Sequence, residues 1–303
     1  MKKVLVLGSS GMAGHVVFSV LKGNPLLDVV GIDRKFQFSV YCSEFFDWIA
    51  EQEFDYVINL IGLLVKESNI NKADAVYINA YLPHRLHEAC FLSDAKLIHL
   101  STDCVFRGTE GRYTENHQKD GEDWYSKTKG LGEVVSDIHA LTIRTSIIGP
   151  ELKANGTGLF HWWATSTESV ITGYSKAMWT GLTTYQLAKA LEELVRGEWI
   201  IPSTPVVHLV PKYWISKFDV LNIFNAVFER PNLTIEPNDK VFVDKSLIDT
   251  EDFGSHLKSL FSTAETAVTC YTSAIRDLRN WIIINRELYT HKLYQPVLSL
   301  LYD

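Results

Sequence analysis

The sequence predicts a doubly wound α/β fold, a parallel sheet with helices on both faces, joined to a smaller mixed α/β C-terminal lobe. Two observations carry this reading. Short apolar runs alternate with stretches of helical periodicity through the first half of the chain, and a glycine-rich turn joins the first run to the first helix. Residues 4–7 form a continuous apolar run of strand length, as expected for a parallel strand covered on both faces. Helical periodicity follows over residues 12–21, and residues 28–32 are a second buried strand ending on Asp33. Residues 55–59 and 96–100 repeat the strand pattern, separated by a long helical stretch over 73–90. Helix recurs over 124–136, and residues 141–145 form a further strand.

After Gly149 the rhythm loosens. Residues 183–195 and 216–228 are strongly helical, and 271–289 read as one terminal helix or two. Residues 206–209 have the pattern of a strand that returns to the main sheet. The expected division is therefore 1–150 as a dinucleotide-binding unit and 151–303 mainly as a substrate lobe, with segments near 175–210 going back to the first unit. The aromatic-rich tail from Trp281 to Tyr294 reads most simply as a docking helix or a subunit contact.

Composition excludes little. The chain of 303 residues is 46% hydrophobic and 21% charged, enough for one large core or two fused ones. A formal charge of −7 argues against a general nucleic-acid binder, which needs a basic footprint. Cys42, Cys90, Cys104 and Cys270 are widely spaced, so neither a metal cluster nor a disulfide framework is expected, and a reducing, cytoplasmic setting fits. The apolar run after Met1 is too short for an export signal, and no stretch approaches a membrane span.

Gly8-Ser9-Ser10-Gly11-Met12-Ala13-Gly14 sits at the first strand-to-helix turn. Gly8 permits a tight turn, Gly11 lets backbone approach a pyrophosphate, and Gly14 lets the helix pack close to the sheet. The helix start, at Ser10, Gly11 and Met12, offers N–H groups to phosphates. Asp33 lies 19 residues after Gly14, where a ribose-binding acid belongs, so the turn is read as a dinucleotide site. Asp33 suits the ribose hydroxyl of NADH, whereas Arg34 and Lys35 suit the extra phosphate of NADPH. The cations tilt the expectation toward NADPH.

Tyr-x-x-x-Lys occurs three times, at Tyr125/Lys129, Tyr185/Lys189 and Tyr213/Lys217, and chance alone supplies about one copy. Position selects the first, which follows the strand ending in Ser101-Thr102-Asp103 in the first half. Positions i and i+4 share a helix face, so the lysine ammonium can approach the phenol and lower its pKa toward neutrality. Reduction of a ketone needs a proton at oxygen, which Tyr125 can deliver, while Thr102 polarises the carbonyl. Lys129 is also expected to hold the nicotinamide ribose.

These motifs, with Val57-Ile58-Asn59-Leu60-Ile61-Gly62, Ser101-Thr102-Asp103-Cys104-Val105-Phe106 and Gly132-Glu133, resemble the extended short-chain dehydrogenases of Rossmann type. Within them the sequence is most similar to the dTDP-4-dehydrorhamnose reductase group, strongly to residue 149 and loosely after Leu247. Ile143-Arg144-Thr145-Ser146 and Gly181-Leu182-Thr183-Thr184 continue the likeness. The resemblance implies reduction of a dTDP- or UDP-linked 4-keto-6-deoxyhexose for surface polysaccharide, with Thr102, Tyr125 and Lys129 as the catalytic set. Asn59 is expected at the cofactor and Ser101 and Cys104 near the substrate; no metal ligands are assigned, and a homodimer is one assembly the sequence allows without choosing it. Two departures stand out: the proline common before the catalytic tyrosine is missing from Gly121-Glu122-Asp123-Trp124, and Phe160-His161-Trp162-Trp163, expected to border the sugar, is atypical. A sugar-nucleotide 4-epimerase and a non-catalytic NADP-binding regulatory subunit remain as alternatives.

Overall fold

A computed structural model of the chain describes residues 1–37, 39–257 and 265–289. Strand β1 (Lys2–Leu7) leads into helix α1 (Met12–Lys22), and β2 (Leu27–Ile32) into α2 (Ser43–Glu51). After β3 (Tyr56–Asn59) come α3 (Val65–Ile70), α4 (Lys72–Ala75) and a π-helical turn (Val76–Tyr81) that runs into α5 (Leu82–Leu92). Then follow β4 (Lys96–Thr102), α6 (Trp124–Leu131), β5 (Ala140–Thr145), β6 (Ile147–Ile148), α7 (Leu159–Thr165), β7 (Val170–Tyr174), β8 (Ala177–Trp179) and β9 (Leu182–Thr183). The remainder comprises α8 (Thr184–Arg196), β10 (Val207–His208), β11 (Ile215–Ser216), α9 (Lys217–Val227), β12 (Thr234–Asn238), β13 (Val243–Asp244) and α10 (Ala267–Ile284).

The main sheet is wholly parallel, in the order β2-β1-β3-β4-β5-β10. The chain builds outward from β1 to β2 and then returns across β1 to β3. The strand order thus reverses between β1 and β3, the crevice where such sheets bind ligands. Alternation along β1 explains its unbroken apolar run. Val4 and Val6 enter the layer built with α1 and α8, while Leu5 and Leu7 enter the opposite layer with α2 and α5.

Two helices differ from the sequence expectation. The stretch 73–90 is not one helix: the π-helical turn interrupts it around Asn79, whose buried amide donates to the Leu63 carbonyl (3.0 Å) and accepts from the Leu63 N–H (2.8 Å). That amide also reaches the Thr128 hydroxyl on α6 (3.2 Å). Helix α6 starts on an Asp123 cap that accepts the Ser126 N–H at 2.8 Å, but it ends at Leu131 and not near 136. Its end abuts the π-helical turn so closely that a Cβ on Gly132 would lie 1.9 Å from the Asn79 carbonyl oxygen. Beyond it, Glu133 turns inward to a buried arginine.

The second half forms a three-stranded sheet, β11-β8-β13, and a β7–β12 pair. Phe160 and Trp163 of α7 pack on Phe224 and Phe228 and belong to the core. His161 is buried too, which leaves Trp162 as the exposed member of the aromatic run. Phe160 and Trp163 thus anchor the second half of the chain through its core. Among the described residues, no helix is long and apolar enough to cross a membrane. The part of the predicted C-terminal tail beyond Tyr289, including Tyr294, lies outside the described residues.

His15 on α1 ties the last described turn to the first helix. Its Nδ1 donates to the Gly11 carbonyl (2.8 Å), so its Nε2 accepts from the Tyr289 hydroxyl (2.8 Å). Burial pushes this imidazole from the ordinary 6.5 down to about 4. The unfolded chain therefore takes up the proton first, and His15 withdraws stability as pH falls from 6.5 toward 4. Between pH 7 and pH 5 it should account for about 2 kcal/mol of lost stability. Urea unfolding of wild type and His15→Gln at both pH values checks this, the variant showing the smaller pH slope.

Candidate active site

The cofactor end of the site is made of backbone. Gly8 adopts a left-handed φ of +80° and donates its N–H to the Ile32 carbonyl at 2.9 Å, which brings the end of β2 to the turn. Helix α1 then starts against the turn: a Cβ on Gly14 would lie 1.9 Å from the Gly8 carbonyl oxygen, so only glycine fits. The Gly11 N–H is spent within the turn on Gly8 O (2.9 Å). Met12 and Ala13 stand in the first turn of α1, where amides have no acceptor one turn back, and Ser10 is exposed beside them. This cradle fits a pyrophosphate. Asp33 accepts the Lys35 N–H at 2.8 Å, while Arg34 is exposed and faces the Tyr41 phenol.

Asn59 ends β3 but does not open to the crevice. Fully buried, it accepts the Ile61 N–H with Oδ1 (3.1 Å), which turns its NH₂ toward His99 Nδ1 at 3.1 Å. That arrangement fixes His99 as the Nε2–H tautomer. Burial, with Lys129 and His84 nearby, holds His99 well below its ordinary pKa and therefore neutral. The Asn59 side chain braces two strands, β3 and β4.

Thr102, Tyr125 and Lys129 converge at the carboxyl end of β4. Thr102 closes the strand, with its hydroxyl donating to Asp103 Oδ1 (3.0 Å) and accepting the Cys104 N–H (3.1 Å). The Thr102 hydroxyl is close enough to the Tyr125 phenol to favour its ionised form. Lys129 is 4% exposed and donates to the Leu100 carbonyl at 2.7 Å. Burial pushes its ammonium down to about 8, against the pull of the Glu133 carboxylate.

The tyrosine differs from the sequence expectation. Burial, aided by Cys104, Asp103 and Asp123, raises the phenol above its ordinary range, and the Thr102 hydroxyl only partly opposes this. The lysine ammonium is engaged with backbone instead. Cys104 borders the same crevice with its thiol pushed up to about 12 by burial and by Asp103, so it is a neutral contact and not a nucleophile. Ser101 does not face the crevice: its hydroxyl donates inward to Glu133 Oε1 at 2.7 Å. The other two Tyr-x-x-x-Lys copies are engaged elsewhere, with Lys189 paired to Glu192 and the Tyr213 carbonyl accepting from Tyr271. Among the described residues, no group of His, Cys, Asp or Glu is placed to hold a metal ion.

Sequence reasoning missed the charges beneath the site. Arg144 on β5 grips Glu133 with Nε and a terminal nitrogen (2.7 and 2.8 Å) and donates to the Glu115 carbonyl (3.0 Å). The Glu115 carboxylate in turn accepts the His208 and Thr250 N–H groups (3.3 and 3.1 Å). The signal was present in Gly132-Glu133 and Ile143-Arg144-Thr145, read only as family motifs.

The family described as the RmlD substrate binding domain matches residues 1–240. The chain belongs to that family. A dTDP-4-dehydrorhamnose reductase of Streptomyces griseus is 33% identical over 136 residues, a stretch covering 43% of this chain and 43% of that protein. The fold is shared with a dTDP-4-dehydrorhamnose reductase from Bacillus anthracis solved in complex with NADP (TM-score 0.74, 17% identity, 93% of this chain and 99% of that one). It is also shared with a UDP-glucuronic acid 4-epimerase from Bacillus cereus solved with UDP-glucuronic acid and NAD (TM-score 0.70, 18% identity, 92% and 99%).

The turn geometry makes a sharp prediction. Gly14→Ala must force α1 away from Gly8, so NADPH affinity in a fluorescence titration should fall at least about tenfold, a loss of about 1.4 kcal/mol. Gly23→Ala, at the far end of α1 where a Cβ meets only ordinary contacts, should leave that affinity unchanged.

Proposed function

We propose that this chain is an NAD(P)H-dependent reductase of a 4-keto-6-deoxy sugar nucleotide, of the dTDP-4-dehydrorhamnose type. The observation that carries this reading is the convergence of Thr102, Tyr125 and Lys129 at the end of β4, in a chain whose family match runs over residues 1–240. Met12, Ala13 and the glycine turn would hold the pyrophosphate, and Lys129 has donors left for the ribose beside its bond to Leu100. Asp33 can take the adenosine ribose hydroxyl, and Arg34 with Lys35 tilts the preference toward NADPH. When bound, the cofactor supplies the hydride.

The protein's own groups handle the oxygen. A phenol held above its ordinary range keeps its proton at neutral pH, which suits Tyr125 to donate it to the oxygen that gains charge during reduction. Thr102 adds a second donor there once its hydrogen turns from Asp103. The Lys129 ammonium stabilises the phenolate left behind, so it must stay charged. Cys104, a small neutral contact, borders the place of the sugar. Free thiols at all four cysteines suit a reducing, cytoplasmic setting. A homodimer is one assembly this reading allows.

Absorbance at 340 nm with NADPH or NADH and dTDP-4-keto-6-deoxyhexose tests the reading. Tyr125→Phe should lower kcat by roughly 10²–10⁴ while retaining cofactor affinity. Released oxidised cofactor separates a reductase from an epimerase, and cofactor binding without turnover on any deoxysugar nucleotide would favour the regulatory-subunit reading. Wild-type kcat should fall as pH rises through about 8, where Lys129 loses its proton.

A further inference from the structure

Glu133 lies outside the catalytic set, yet its carboxylate is filled on both oxygens. Oε1 accepts from the Ser101 hydroxyl (2.7 Å) and Arg144 Nε (2.7 Å), and Oε2 from the Arg144 terminal nitrogen (2.8 Å) and Lys119 (3.0 Å). Its side chain is 2% exposed. Ser101 stands between Leu100, whose carbonyl holds the Lys129 ammonium, and Thr102. The one carboxylate therefore grips the strand end at the residue between both catalytic attachments.

We propose that Glu133 is a positioning residue for the catalytic pair: it fixes the end of β4 that presents Thr102 and keeps the buried Lys129 ammonium in its charged form. The proposal rests on the assignment of Thr102 and Lys129 to the catalytic set. Glu133 is the carboxylate that opposes the burial of Lys129. His99 on β4 also faces Lys129, and it is neutral. Around Glu133 stand Arg144 from β5 and Lys119 from the loop before α6, with Glu115 and His208 behind Arg144. Burial also lowers His208, to about 4, so it adds no charge at neutral pH. Lys119 is the exposed member, at 41%.

This arrangement gives two substitutions opposite signs. Removing the negative charge by Glu133→Gln, which keeps the shape and most hydrogen bonds, destabilises the Lys129 ammonium. Removing a neighbouring positive charge by Lys119→Met stabilises it. A purely structural brace predicts no such opposition.

The test follows the Lys129 side chain by NMR of ¹³Cε-lysine-labelled, cofactor-free protein, assigned with Lys129→Arg, with circular dichroism confirming the fold. The wild-type midpoint is expected near about 8. It should move down by about one pH unit in Glu133→Gln and upward in Lys119→Met. In the 340 nm assay, a one-unit fall makes Glu133→Gln about fivefold slower than wild type at pH 8 but less than twofold slower at pH 6. Midpoints unchanged in both folded variants, or moving in the same direction, would overturn the proposal. If Glu133→Gln does not fold, Glu133→Asp, which keeps the charge but draws it back from the strand end, decides: a Lys129 midpoint unmoved in that folded variant would overturn the proposal. The midpoints need no substrate, so shifts of the expected sign without wild-type turnover would count against the proposed reaction and leave the role of Glu133 standing.

Discussion

The site depends on a charge pair buried under the carboxyl ends of β4 and β5. Parallel register sets Ser101 opposite Arg144 and Thr102 opposite Thr145, so Arg144 lies beside the strand end that carries Thr102. A buried ion pair is a poor source of stability unless every polar atom finds a partner, because desolvation of both charges offsets their attraction. Here the condition is met. Burial would raise the Glu133 carboxyl, but Arg144, Lys119 and Ser101 together hold it below its ordinary value. The other terminal nitrogen of Arg144 faces the Glu115 carbonyl and His208, with the guanidinium over the Phe106 ring.

That network also joins the two halves of the chain. Glu115 belongs to the loop between β4 and α6, and it receives N–H groups from His208 on β10 and from Thr250. The same loop pairs with the segment after β13, where Tyr113 donates to the Ser246 carbonyl and accepts from Ile248 (2.8 Å each). The core is equally shared, since α8 packs on α1 and both contribute to one apolar layer. The second half of the chain is therefore tied by hydrogen bonds to the loop that follows Thr102.

The two ends of the crevice use different physics. The cofactor end relies on backbone, in a turn whose shape only glycine permits at Gly8 and Gly14. The end where Thr102, Tyr125 and Lys129 meet relies on side chains whose protonation depends on burial. Desolvation and the neighbouring Cys104, Asp103 and Asp123 favour the protonated Tyr125 phenol, whereas Lys129 stays charged only against the pull of its surroundings. Both groups therefore work through the low polarity of the crevice, in opposite directions.

The sequence by itself determined the alternation of strands and helices, the glycine turn and the choice among three Tyr-x-x-x-Lys copies. Those features are local: strand runs follow from burial on both faces, and a tight turn needs glycine wherever it occurs. Sequence periodicity was not sufficient for the π-helical turn at Asn79 or the early end of α6, because both arise from contact between elements distant along the chain. Tertiary structure alone decided that Asn59 and Ser101 turn inward, that Phe160 and Trp163 form core, and that the Tyr125 phenol is raised. Each outcome depends on which partners a side chain meets after folding, and no spacing along the chain encodes how a proton is held once water is excluded.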